Sequence, residues 1–243
     1  MTSPLLRVQG ACKRYGSMQV TRNLSFDLEA GDALGIIGPN GAGKTTLFNL
    51  ISGDVRADAG SIVFDGNDIT REPPHRRCRA GIGRSYQVPL PFEGLTVFEN
   101  LMVGASFGTA HATRNAATQH CAELLDLTGL YGKANWLAGA LTLLDRKRLE
   151  LARALATRPS VLLLDEVAGG LTDMEAHELV GIVQRIREQG VSIVWIEHVV
   201  HALLAVATRL LVINFGEKLA EGEPHAVIAL PEVQRVYMGI EVA

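Results

Sequence analysis

Gly38-Pro39-Asn40-Gly41-Ala42-Gly43-Lys44-Thr45-Thr46 decides how the rest of the chain is read. The stretch fits G-x-x-x-x-G-K-[ST], the pattern of a phosphate-binding loop, and its flanks are the ones such a loop needs. Upstream, Ala33-Leu34-Gly35-Ile36-Ile37 is a short apolar run that predicts a buried strand. Downstream, residues 45–51 (TTLFNLI) have helical spacing and stop at Ser52-Gly53. Strand, Gly-rich turn and helix in that order aim backbone N–H groups at an anion, and the helix N-terminus adds positive potential. Lys44 is then expected to reach the β- and γ-phosphates, and the Thr45 hydroxyl to hold a magnesium ion. A Gly-rich turn with an incidental lysine is the competing reading, and the flanking strand and helix weigh against it. The prediction is a nucleoside-triphosphate site.

The chain has 243 residues, 47% hydrophobic and 20% charged, which suits a globular protein with a sizeable core. A net charge of −3 makes no bulk electrostatic case for nucleic acid. The local basic run His75-Arg76-Arg77-Cys78-Arg79 reads as a solvated helix face. Cys12, Cys78 and Cys121 are far apart and form no C-x-x-C, so neither a disulfide framework nor a zinc site is supported. A reducing cytosol is the expectation. The N-terminus lacks the apolar centre of a signal peptide. The longest apolar tract, residues 202–215, is broken by Arg209 and is too short for a bilayer of ~30 Å. Any link to a membrane is therefore expected to run through a partner.

Along the chain, residues 6–12 and 24–28 alternate as two half-exposed strands, and residues 61–64 followed by Asp65-Gly66 as a strand and turn. A short helix is expected to open at Pro73-Pro74. From residue 88 to 136 strand candidates are few: Val88-Pro89-Leu90-Pro91 breaks regular structure, and residues 96–105 and 110–127 read as helices, so this part is expected to be a helical insertion. The strand–helix rhythm then resumes. Val161-Leu162-Leu163-Leu164, Ser192-Ile193-Val194-Trp195-Ile196 and Leu210-Leu211-Val212-Ile213 read as buried strands, and residues 175–189 as an amphipathic helix.

Three further features carry chemistry. Asp165-Glu166 directly follows a buried strand: Asp165 is placed to hold magnesium, directly or through water, and Glu166 to polarise the water that attacks a γ-phosphate. Alone, this pair could be an ordinary polar strand end. His198 ends a second apolar strand and could hydrogen-bond the γ-phosphate. Gln87 sits where core meets insertion and could contact magnesium or the water. That last signal is weak on its own.

Taken together, these residues resemble the nucleotide-binding subunit of an ABC transporter, and the resemblance covers essentially the whole chain. It implies an α/β fold: a P-loop (RecA-like) ATPase core with a mostly parallel sheet, an antiparallel β subdomain and a helical insertion. The single domain 1–243 would comprise a core of residues 1–87 and 150–243 and a helical part of about 88–149. Residues 38–46, Gln87, Asp165-Glu166 and His198 match the family's Walker A, Q-loop, Walker B and switch positions; Tyr15 matches the aromatic that stacks on adenine. The resemblance implies ATP and Mg2+ as ligands, a second ABC ATPase, two transmembrane permease subunits and, indirectly, a periplasmic or extracellular substrate-binding protein. It implies a cytoplasmic chain on the inner face of the membrane. Residues 81–87, 95–101, 148–155 and 236–239 are most similar to ATPases of branched-chain amino-acid uptake systems, a group that also imports related amides and organic acids.

The sequence departs from that pattern in three places. The family's signature loop reads L-S-G-G-Q, or L-S-Y-G-Q in this branch; here Leu141-Thr142-Leu143-Leu144-Asp145 aligns with it. In the family this loop faces the γ-phosphate bound by the other subunit. Leu144 would block close backbone approach, and Asp145 would place negative charge near an anion. The same residues also form a capping-box-like pattern, Thr142-x-x-Asp145, that opens a helix over 145–157. Val167 stands where the family has Pro, and Thr172 where Asp or Asn is usual. These changes predict a heterodimer in which a partner's intact loop completes this chain's site. A soluble ABC-type ATPase without a transporter is a different reading; the coiled-coil arms, zinc modules or fused second ATPase domain usual in such chains do not occur here. A low-turnover regulatory subunit is another, opposed by Glu166 and His198.

Overall fold

All five residues of Ala33–Ile37 (β3) are buried, as are all five of Val161–Asp165 (β7) and of Ser192–Ile196 (β8). Strands buried on both faces need cover on both sides, and alternate side chains show what supplies it. In the computed structural model, which describes residues 3–108 and 113–238, Leu34, Ile36, Leu163, Val194 and Ile196 pack with one apolar cluster. Their neighbours Ile37, Leu162, Leu164, Ile193 and Trp195 pack with another. The first cluster reaches α1 (Lys44–Ser52) and the second reaches α6 (Asp173–Glu188) and α7 (Val200–Val206).

The sheet has six strands in the order β10-β9-β3-β8-β7-β6, where β6 is Ile82–Arg84, β9 Arg209–Asn214 and β10 Glu217–Gly222. Neighbours run parallel except β10, which pairs antiparallel with β9 at one edge. A second sheet, β2-β1-β4-β5, is antiparallel throughout. It comprises β1 (Leu6–Tyr15), β2 (Met18–Leu28), β4 (Ala59–Phe64) and β5 (Asn67–Asp68). The expected α/β architecture, with its mostly parallel sheet and antiparallel companion, is present.

The helices α3 (Val97–Phe107), α4 (Arg114–Leu127) and α5 (Leu143–Ala156) share the second cluster through Leu101, Cys121, Leu125, Leu149 and Ala152. Thr96 and Glu99 form a capping box at the start of α3, and Thr172 and Glu175 form one at the start of α6. Each pairs the side chain of one residue with the backbone N–H of the other, which stops the first turn fraying. Thr172 thus has a structural reason in this chain. The helix expected from residue 110 begins at Arg114; residues 110–112 lie outside the described residues, as does Gly239 in the tail.

The extent expected of the first two strands needs correction. Strands β1 and β2 run well past the alternating segments and close as a hairpin pairing Tyr15 with Met18. Pairing carries the hairpin where burial alternation fades, because β1 also bonds β4 on its other edge. The apolar tract 202–215 is split between α7 and β9, and no helix among the described residues is long and apolar enough to cross a membrane.

The basic run also differs from expectation. Arg77, on α2 (Pro74–Ala80), is 1% exposed rather than solvated. Its guanidinium donates to the carbonyls of Leu50 (2.6 Å), Ile51 (2.9 Å), Glu72 (2.8 Å) and Thr70 (3.0 Å). The carbonyls of Leu50 and Ile51 lie in the last turn of α1, where a helix has no partners of its own for them. Arg77→Met is expected to destabilise the fold by about 3 kcal/mol, since it leaves several buried acceptors unmet. Urea unfolding of the purified variant checks this; a midpoint equal to that of the parent protein would refute it.

Candidate functional site

The register of the parallel strands brings the site together. Ile36 of β3 lies beside Ile196 of β8, and Asp165 of β7 lies beside the same Ile196. Residues just past these three, namely Gly38, Glu197-His198 and Glu166, therefore emerge at one edge of the sheet. This is the carboxyl edge, where open α/β sheets place their ligands.

At that edge the Gly-rich turn is confined by its neighbours. A Cβ at Gly38 would sit 2.1 Å from the Ile213 carbonyl oxygen, and one at Gly43 (φ +100°) 2.6 Å from the Val20 carbonyl oxygen. Only glycine lets β9 and β2 approach this closely. Lys44 is 6% exposed, and its Nζ donates to the carbonyls of Gly38 (2.7 Å) and Pro39 (3.0 Å), folding over the turn from within. Burial pushes its pKa down, opposed by the negative charges of Glu166 and Asp165. Thr45 is exposed in the first turn of α1, and Thr46 partly so.

Opposite the turn, Asp165 is 4% exposed; burial pushes its carboxyl pKa up while the nearby Arg84 guanidinium, 3.3 Å away, pulls it down. Glu166 adopts φ +48°, an uncommon conformation for a residue with a side chain. Both of its carboxylate oxygens are engaged. Gln87 Nε2 donates to Oε2 at 2.6 Å, and His198 Nε2 lies 2.8 Å from Oε1. The three residues singled out separately in the sequence thus meet on one carboxylate. Asp165 and the Thr45 hydroxyl are hard oxygen donors of the kind magnesium takes. Among the described residues no group of three or more His, Cys, Asp and Glu side chains is arranged to hold a metal. A magnesium ion here would accordingly draw most of its ligands from phosphate oxygens and water, its usual habit in phosphoryl-transfer sites.

Residues 21–169 match the family model for ABC transporters. The chain belongs to the ABC transporter ATP-binding family. It is 37% identical, over 96% of its length and 82% of the relative's, to a probable ABC transporter ATP-binding protein of Azorhizobium caulinodans. It is 34% identical, over 98% of its length and 99% of the relative's, to the high-affinity branched-chain amino acid transport ATP-binding protein BraF of Pseudomonas aeruginosa. It is also 34% identical, over 97% of both lengths, to the lipopolysaccharide export ATP-binding protein LptB of Haemophilus influenzae. A solved ABC-transporter cassette in its ADP conformation superposes with a TM-score of 0.88 at 30% identity, covering 98% of this chain and 100% of that one. The chain is an ATP-binding, ATP-hydrolysing cassette.

Seen as such a cassette, the molecule corrects one sequence expectation. Asp145 does not present its charge outward: it is 3% exposed, and its carboxylate accepts from Lys133 Nζ and from Thr142 Oγ1 (3.0 Å), with Arg148 Nη1 at 3.5 Å. Two cations and the first turn of α5 absorb the charge. Thr142 caps that helix, accepting from the Asp145 N–H at 3.3 Å. Of the loop's residues Thr142 and Leu143 (46%) are exposed, and Met174, on α6, is 76% exposed. Tyr15, at the tip of the β1–β2 hairpin, is 47% exposed with Lys13 Nζ 5.7 Å from its ring centroid.

Sequence reasoning overlooked four residues around the Glu166–Asp165 cluster of this cassette. Lys147, 5% exposed on α5, holds its Nζ 3.5 Å from the Gln87 carbonyl and 3.4 Å from the Glu166 carbonyl. Glu197, 1% exposed, accepts from the backbone N–H of Ala168 (3.1 Å) and of His198 (3.2 Å), tying the segment after Glu166 to β8. Tyr237 donates to the His198 carbonyl at 3.0 Å. Arg84 reaches Asp165. Only Glu197, an acid inside an apolar strand end, left a sequence signal; the other three act across long sequence separations.

Proposed function

We propose that this cassette powers import of branched-chain amino acids or of related small amides and organic acids through separate permease subunits. It would work as one half of a heterodimer on the inner face of the membrane. Supporting the cargo are the match of residues 81–87, 95–101, 148–155 and 236–239 and the similarity to BraF. The observation that carries the chemistry is Glu166 held between Gln87 and His198 at the edge that also bears Lys44.

In this reading Tyr15 stacks on adenine, and the N–H groups of residues 38–46 and Lys44 take the phosphates. Thr45, Asp165 and Gln87 would hold magnesium, which would supply neutralisation of phosphate charge. Glu166 accepts the proton of the attacking water, and His198 donates to the γ-phosphate once its hold on Glu166 is broken. Gln87 starts the irregular segment that leads to α3, so a shift of that segment withdraws one of the two groups latching the base. A groove of about 300 Å³ beside it is lined by Tyr86, Phe92, Phe107 and Arg153, and Val88 and Leu90 are exposed nearby. A permease segment seated there would act on Gln87 through the chain between Tyr86 and Pro91.

Residues 142–145 would face the partner's nucleotide; Leu143 is exposed there and the exposed Thr142 hydroxyl is already engaged with Asp145, so the loop gives a γ-phosphate little to bond. The partner's site would then turn over poorly, and the site on this chain, completed by an intact partner loop, would turn over well. ATPase rates of this chain alone and mixed with its cognate second cassette test the asymmetry. The mixture is expected to hydrolyse several-fold faster per subunit; equal turnover would rule the asymmetry out.

A further inference from the structure

Arg84 ends β6 three residues before Gln87, and its side chain is 8% exposed. Its two terminal nitrogens have different tasks. Nη1 is pinned by the end of α1 and the turn after it, donating to Asn49 Oδ1 (2.7 Å), Ser52 Oγ (2.9 Å) and Asp54 Oδ2 (2.9 Å). The guanidinium carbon lies 4.7 Å from the Tyr86 ring centroid and 5.8 Å from that of Phe48, so the group is held between two aromatic rings as well. Nη2 makes one contact of a different kind, 3.3 Å to Asp165 Oδ2. That contact is longer than a good charge-assisted hydrogen bond, while the three on Nη1 are of ordinary or short length. Asp165 can therefore leave Arg84 without the guanidinium losing its seat.

We propose that Arg84 is a positioning residue that neutralises Asp165 until a divalent cation takes the carboxylate, so that guanidinium and cation compete for the same oxygen. The inference rests on the nucleotide-site reading above and adds a reason why a buried carboxylate can wait there charged: an uncompensated ion at that depth is costly. Asp54 sets the balance, because it shares the guanidinium charge with Asp165. Removing Asp54's charge strengthens the hold on Asp165, whereas removing Arg84 abolishes it.

The test is calorimetric titration of the full-length chain with ADP, once with excess Mg2+ and once with a chelator; the quantity read is the ratio of the two affinities. Arg84→Met is expected to raise that ratio about tenfold, chiefly by weakening metal-free binding next to an unpaired Asp165. Asp54→Asn, a near-isosteric change on a half-exposed side chain, is expected to lower it about threefold. A purely structural Arg84 would weaken ADP binding equally with and without Mg2+, and both variants would act in the same direction; either result overturns the inference. Should Arg84→Met fail to fold, the sign of the Asp54→Asn effect decides alone. Absence of ADP binding by the parent chain would instead sink the nucleotide-site reading itself.

Discussion

Glu166→Gln is expected to lower ATP turnover about 10³-fold, within the range for loss of a positioned general base, while ATP affinity stays within about twofold. The substitution keeps the length and shape of the side chain. Its amide oxygen can still accept from Gln87 Nε2, which now sits 2.6 Å from the carboxylate, so the packing around residue 166 is retained. What is lost is the second lone-pair oxygen and the negative charge that draw the proton from water. The strained backbone at Glu166 is set by its N–H bond to the Ile196 carbonyl (2.8 Å) and is indifferent to the change. Thermal unfolding and ATPase assay of the assembled transporter separate loss of the base from loss of the fold. Turnover equal to that of the parent protein would show that Glu166 is not the base.

Lys44→Met is the second change with a large expected effect, and it falls on binding rather than turnover. Lys44 would contribute two or more charge-assisted hydrogen bonds to phosphate oxygens; their loss costs about 4 kcal/mol, or about 10³-fold in ATP affinity. The lysine is nearly buried and now bonds the carbonyls of Gly38 and Pro39 from inside the turn. Some of the loss could therefore come from a loosened turn. Adenosine, which carries no phosphate, distinguishes the causes: its affinity should be unchanged if the ammonium acts on phosphate alone. An ATP affinity within tenfold of the parent value would mean the turn's N–H groups carry the binding without Lys44.

The strands of the parallel sheet and the phosphate turn were readable because they obey local rules. A strand covered on both faces is a continuous apolar run, and β3, β7 and β8 begin and end within a residue of where the composition places them. Strands β6 and β10 escaped notice for the opposite reason. The residues Ile82–Arg84 are too few to show a period, and Glu217–Gly222 is a largely polar edge strand that pairs without burying a face. Charged residues misled for a related cause. Arg77 and Asp145 look like surface groups, yet each is buried by partners 26 and 12 positions away. Such partners give no signal at either position.

The amino-acid sequence on its own determined that a Gly-rich turn would follow a buried strand, that acids and a histidine would end two further strands, and that a helical stretch would interrupt them. Those properties depend on neighbours within a few residues, through side-chain periodicity and backbone freedom. Only the tertiary structure decided that Glu166 would be shared between Gln87 and His198, that Arg84 would lie against Asp165, and that the altered loop would hide its charge and expose Leu143. Strand register and burial set those contacts, and both are properties of the whole sheet rather than of any stretch within it.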